Sequence, residues 1–159
     1  QTAMGMLSDM RLCSVDPGVA TCDAIVSACD KGSQWQDALD IASNMAFCRL
    51  GQSVTCYNAA ISACEKGNVW QDALGTFADM RPRRMVPDVI SYNAAISACQ
   101  RGSRWLEALG LVSQMPQHRL QPDSITYSAA ISACEKGAQW RWALRVLSEM
   151  CSRRLEPGG

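Results

Sequence analysis

Four cations recur in this sequence at one spacing: Lys31, Lys66, Arg101 and Lys136 stand 35 residues apart. Cys29, Cys64, Cys99 and Cys134 keep the same step, two residues ahead of the cations. Asn58 and Asn93 follow it, as do Asp88 and Asp123. These are the residue types that could do chemistry. A cation could hold a phosphate. An amide carries both a donor and an acceptor and could meet a mixed hydrogen-bonding edge, and a carboxylate could fix which way that amide points. The thiols suggest something plainer. The cysteine total is nine, an odd number that argues against a disulfide framework, and a shared periodic position suits small apolar side chains buried on one helix face. A reducing compartment is the expectation. No Cys-x2-Cys or His–Cys spacing points to zinc, and the single histidine, His118, reads as a solvated loop residue. With no nucleophile–base pair and no phosphate-cradling loop, neither an enzyme nor a cofactor is expected.

The elements that position these residues follow from the same period. The string Tyr57–Gly67 (YNAAISACEKG) returns as Tyr92–Gly102 and Tyr127–Gly137, and more loosely as Cys22–Gly32. A fixed period of about 20–50 residues marks a repeat array. Counted from Val19, four units run 19–53, 54–88, 89–123 and 124–158. Residues 1–18 match the second half of a leading unit, with Met10 in register with Met45, Met80, Met115 and Met150. The N-terminal ten residues carry no targeting signature, so the chain is expected to be a segment of a longer array.

Within a unit, Tyr57, Ala60, Ile61 and Cys64 recur at the spacing of one helical face. Gly67 and its equivalents then predict a left-handed helix end. Trp70, Ala73, Leu74, Phe77 and Met80 predict a second helix, with Trp35, Trp105 and Trp140 opening its counterparts. Ser33, Asn68 and Ser103 read as its caps, whereas Ala138 departs from that pattern. The tryptophans and methionines read as core. Pro87-Asp88 and Pro122-Asp123 end one unit and can cap the next helix. Arg49, Arg84, Arg119 and Arg154 fall in the loops between units and read as exposed or as contacts to the next unit. A lone hairpin cannot bury its apolar face, so the units must stack. Hydrophobic content of 48% fits a folded chain. A net charge of zero neither demands nor excludes a polyanionic partner. No apolar run is long enough to span a membrane.

The tetratricopeptide repeat has a 34-residue period and a Trp-x2-Leu-Gly-x2-Tyr pattern, which this sequence lacks. The sequence instead resembles the pentatricopeptide repeat (PPR) family. The resemblance lies in Val89-Ile90-Ser91-Tyr92-Asn93 and Ser124-Ile125-Thr126-Tyr127-Ser128, in the pairs Ala73-Leu74, Ala108-Leu109 and Ala143-Leu144, in the second-helix methionine, and in the closing Pro-Asp. It covers essentially the whole chain.

The resemblance implies an all-α fold, a right-handed α-solenoid of stacked antiparallel helical hairpins. It also implies single-stranded RNA binding at about one base per repeat, with two or three side chains per base. The base-reading positions it implies are the fifth and last of each unit: Asn58 with Asp88 and Asn93 with Asp123, the pairing associated with uridine. Asp23 with Ser53, and Ser128 with Gly158, depart from that pairing and receive no base. The second position is implied to stack on bases, which Thr55, Ile90 and Ile125 can do and Ala20 is too small to do. Lys31, Lys66, Arg101 and Lys136 are implied to contact phosphate. Helical geometry agrees, since eight residues separate positions 5 and 13, a little over two turns. By resemblance the setting is a chloroplast or mitochondrion and the process RNA processing, editing, stability or translation. A protein-binding solenoid is the alternative, and the rest of a longer array could hold protein partners.

Overall fold

A computed structural model describes residues 18–32, 34–47 and 53–153; residues 1–17 of the leading half-unit, Ser33, Arg49, Arg154 and Gly158 lie outside the described residues. Eight α-helices are described: α1 (Val19–Lys31), α2 (Trp35–Phe47), α3 (Val54–Lys66), α4 (Trp70–Asp79), α5 (Val89–Arg101), α6 (Trp105–Gln114), α7 (Ser124–Lys136) and α8 (Trp140–Ser152). A 3-10 turn, Pro116–His118, follows α6. The first helices of the four units begin at Val19, Val54, Val89 and Ser124, all at the same point of the period. Among the described residues there is no strand, and no helix is long and apolar enough to cross a membrane.

The hairpins stack as an α-solenoid with two unequal layers. Consecutive first helices α1, α3, α5 and α7 pack directly on one another. Their contact faces are small: Ala60, Ala63, Cys64, Ala95, Ala98, Cys99, Ala130, Ala133 and Cys134 are buried. Short side chains let helix axes come close. The second helices stand further apart. Grooves of about 390 Å3 and 630 Å3 open between α4 and α6 and between α6 and α8. A layer with closer spacing lies on the inside of a curve, so the first helices form the concave face.

Tyr92, Tyr127, Ile61, Ile96, Met80, Met115 and Met150 fill the space between layers and are fully buried. Each such side chain is worth about 1.5–3 kcal/mol of transfer free energy. Phe77 meets Tyr92 edge-on, with ring centroids 4.9 Å apart. The periodic cysteines lie in this interior. Burial pushes the thiols of Cys64 and Cys99 up to about 12, so both stay protonated near neutral pH.

The helix joints differ from the sequence expectation in three respects. Gly67, Gly102 and Gly137 have negative φ; the left-handed residue is the next one, Asn68, Ser103 or Ala138, at φ 59°, 54° and 54°. Asn68 and Ser103 therefore serve the turn and are not side-chain caps: α4 and α6 start after Val69 and Arg104 without a side-chain cap. The glycines answer to sterics. A Cβ on Gly67 would lie 2.3 Å from Cδ1 of Trp35, on Gly102 2.4 Å from Trp70, and on Gly137 2.4 Å from Trp105. Each indole lies across the helix end of the following unit. The tryptophans are accordingly joint residues, half-buried in Trp35, Trp70 and Trp105, and not the enclosed core expected. Trp140, with no such glycine beside it among the described residues, is 64% exposed.

Two substitutions separate these roles of glycine. Gly75 lies inside α4 with open space where a Cβ would go, so Gly75→Ala should raise stability by about 0.5–1 kcal/mol. Gly102→Ala should lower it by about 1–3 kcal/mol, because the added carbon overpacks against Trp70. Thermal melts of the two variants against the parent should shift in opposite directions. Alkylation of the native protein should modify the exposed Cys151 and leave Cys64 and Cys99 unmodified, as read by mass spectrometry.

Candidate nucleic-acid interface

Positions 5 and 35 of a unit are 30 residues apart in sequence, yet the stacking joins them in all three units where both are described. Asn58 Nδ2 donates to Asp88 Oδ1 at 3.1 Å. Asn93 Nδ2 lies 3.3 and 3.2 Å from Asp123 Oδ1 and Oδ2. Ser53 Oγ donates to Asp23 Oδ2 at 2.9 Å. A carboxylate accepts only, so it forces each amide to turn its nitrogen inward.

The same aspartates cap the next first helix. Asp88 accepts the Ser91 N–H at 2.8 Å, and the Ser91 hydroxyl accepts the Asp88 N–H at 3.2 Å. Asp123 and Thr126 repeat this at 2.8 and 3.1 Å. The two readings of these aspartates, cap and partner of the asparagine, hold together. Burial works against ionising Asp123, but the hydrogen bonds from the Thr126 backbone and hydroxyl, from Asn93 and from the Ile125 backbone outweigh it and hold its pKa below the usual carboxylate value.

Ser91 and Thr126 were not singled out from the sequence, and they complete the arrangement. Ser91 Oγ donates to Asn58 Oδ1 at 2.6 Å, and Thr126 Oγ1 to Asn93 Oδ1 at 2.6 Å. Both hydroxyls are fully buried. Aspartate at the cap with a hydroxyl three residues on is a capping-box spacing, and that was the signal available. Each asparagine is thus held at both ends of its amide and keeps one N–H and one oxygen lone pair. The asparagines are not free surface residues: Asn58 is only 9% exposed and Asn93 is half-buried. Ser128, at the equivalent position of the last unit, is exposed.

The second-position side chains stand clear of the core. Ile90 and Ile125 are 64% and 60% exposed, and Thr55 and Ala20 are exposed too. All sit in the first turn of a first helix, near the Asn–Asp joints. The cations at position 13 lie near the far ends of the same helices, about 12 Å along the axis from the fifth-position residues at 1.5 Å per residue.

Two of these cations are already paired. Lys66 Nζ meets Asp30 Oδ2 of the preceding unit at 2.9 Å and approaches the Asp30 carbonyl at 3.4 Å. Arg101 Nε meets Glu65 Oε1 at 3.2 Å. The acids occupy position 12 of the unit before. In the last step that position is Gln100, and Lys136, like Lys31, is exposed and has no ion pair among the described residues. In the loops, Arg84 and Arg119 are exposed and left-handed, at φ 60° each. His118 is exposed but not merely solvated, since its Nε2 lies 2.6 Å from Nη2 of Arg81. An arginine only donates, so that nitrogen is the acceptor.

Family and fold comparisons agree with this architecture. The PPR repeat family matches residues 52–101 and 87–136, and the PPR repeat matches residues 125–155. No curated protein sequence is significantly similar to the chain. Among solved structures, the pentatricopeptide repeat protein PPR10 from maize superposes with a TM-score of 0.77 at 25% identity, covering 98% of this chain and 22% of that one. PPR10 in complex with an 18-nt psaJ RNA element superposes at 0.74 and 20% identity, covering 89% of this chain and 21% of that one. The PPR domain of Arabidopsis thaliana protein-only RNase P 1 (PRORP1) in complex with tRNA superposes at 0.79 and 17% identity, covering 89% of this chain and 74% of that domain. The chain thus spans about a fifth of the length of PPR10. With a family match over more than half its length, the in-phase helical hairpins and the 35-residue period, this chain belongs to the pentatricopeptide repeat family.

Proposed function

We propose that this chain is a single-stranded RNA-binding segment in which each complete unit addresses about one base. The observation that carries the reading is the clamped amide at two successive units. Asn58 and Asn93 each retain one donor and one acceptor in fixed order. The Watson–Crick edge of uracil offers an N–H next to a carbonyl, the complementary order. Uridine is therefore the base for the units of Asn58–Asp88 and Asn93–Asp123. The exposed Ile90 and Ile125 supply apolar wedges between neighbouring bases. Likeness to RNA-bound PPR10 supports the partner class. Family membership further supports a chloroplast or mitochondrial setting, with RNA processing, editing, stability or translation as the step served.

The cation row supplies the phosphate contacts in this reading, unequally. Lys66 and Arg101 must trade a carboxylate for a phosphate, whereas Lys31 and Lys136 have no carboxylate to give up among the described residues. A stacked base is worth about 1–3 kcal/mol, and docking and ordering costs offset much of that. Four units alone therefore bind weakly.

Fluorescence anisotropy with short U-rich and A-rich RNAs tests the reading. The parent should prefer uridine at two adjacent positions. Asn93→Ser should weaken that preference at one of them. Lys136→Ala should weaken all RNAs to a similar degree and reduce the salt slope by about 1, with Lys66→Ala weaker in effect. Equal affinity for U-rich and A-rich RNA at every salt concentration would refute the base assignment.

A further inference from the structure

We propose that the unit of Asp23 and Ser53 selects a base edge rich in donors, guanine above all, and disfavours uracil. The inference rests on the RNA reading above and concerns a position that reading leaves without a base.

The first joint occupies the same place in the stack as the two asparagine joints, but its hydrogen-bonding polarity is inverted. In the next two units the fifth residue is an amide that both donates and accepts. Here it is a carboxylate, which only accepts. The Ser53 hydroxyl has a single proton, and that proton goes to Asp23 Oδ2 at 2.9 Å. The same Ser53 oxygen accepts the Cys56 N–H at 3.3 Å as the cap of α3. Nothing in the pair is left to donate.

A substitution at the third position of the next unit sharpens this. Ser91 and Thr126 give a hydroxyl proton to the amide oxygen of the preceding unit. The equivalent residue facing Asp23 is Cys56, a weaker donor, whose thiol is pushed up to about 12 by burial and then by the neighbouring Asp23 and Cys22. Asp23 Oδ1 is buried and has no hydrogen-bond partner among the described residues. An oxygen already withdrawn from water gains from an incoming N–H without first losing a bond. The carboxylate torsion is broad and soft, so a modest rotation can turn both oxygens toward a base, with Oδ2 sharing its two lone pairs between Ser53 and the incoming donor.

The four bases differ in what they offer such a site. Guanine presents N1–H and N2–H side by side, two donors matched to two carboxylate oxygens. Adenine and cytosine present one amino group beside a ring-nitrogen acceptor. Uracil presents one N–H between two carbonyls, and both carbonyls repel a carboxylate. The order expected is guanine, then adenine and cytosine, then uracil.

The test uses the full chain and short RNAs with a two-uridine core in adenosine, varying the base on each flank in turn. Guanine on one flank should bind about tenfold tighter than uridine there. Asp23→Asn should abolish that preference and improve uridine at the same position. Cys56→Ser, which supplies Asp23 Oδ1 with a hydroxyl donor, should reduce the guanine preference several-fold; it carries the test if circular dichroism shows that Asp23→Asn does not fold. If the uridine core is selected while neither flank favours guanine, or if the guanine preference survives both substitutions, the inference is wrong and the RNA reading stands. If the core itself is not selected over adenosine, both fail together.

Discussion

The stack depends on one contact repeated three times: an indole lying against a glycine of the next unit. Trp35, Trp70 and Trp105 each occupy the space where Gly67, Gly102 and Gly137 lack a Cβ. The contact joins the second helix of one hairpin to the end of the first helix in the following one, and so fixes both the distance and the rotation between units. Arg104 closes over Trp70, its guanidinium 4.6 Å from the ring centroid, which adds a cation–π term at the edge of one joint. The following residue must then take a left-handed turn. Asn68 does so readily, and Ala138 does so at a steric cost of about 1–2 kcal/mol.

The residues proposed to read bases are built into the same unit-to-unit joint. Asp88 caps α5 and orients Asn58 on α3, and Ser91 closes the loop by binding both. One carboxylate therefore serves the helix start, the packing of successive first helices and the direction of an amide. Pre-organisation of this kind lowers the ordering cost at binding. It also means that side chains at the fifth and last positions cannot be exchanged independently of stability. The first joint shows one solution to that constraint, with acceptor and donor swapped between Asp23 and Ser53 and the hydrogen bond kept.

Much of this was legible in the sequence, for identifiable reasons. Period and helical faces are carried by Tyr57, Ala60, Ile61, Cys64 and their copies, because a stacked unit must present the same small face each time. Joining Asn58 to Asp88 came from family likeness, since a contact across 30 residues leaves no trace in periodicity. Glycine was legible as a helix end and misread in cause. Left-handed φ is the usual reason for glycine there, whereas here an indole from another unit forbids a Cβ. Tryptophan was misread for the related reason that hydrophobicity does not distinguish a joint from a core. Ser91 and Thr126 stood in the family-like strings without a role of their own, because each looks like an ordinary first-turn residue until its neighbour's amide is placed.

The neutral charge of the chain takes on meaning at the cation row. Lys66 and Arg101 lean on acids of the preceding unit, Asp30 and Glu65, so the row is largely self-compensated where those acids occur. These pairs are partly exposed, and exposed ion pairs are worth about 0–1 kcal/mol. A phosphate can therefore replace the carboxylate with little net change in pair energy, while the displaced acid returns to water. The pairing meanwhile holds the long side chains along the inner helices and ties unit to unit when no polyanion is bound. Where Gln100 interrupts the acidic positions, Lys136 keeps its charge uncompensated by any described residue. In the proposed reading, long-range attraction then depends on the breaks in the acidic positions and not on the number of cations, so a net charge of zero does not oppose it.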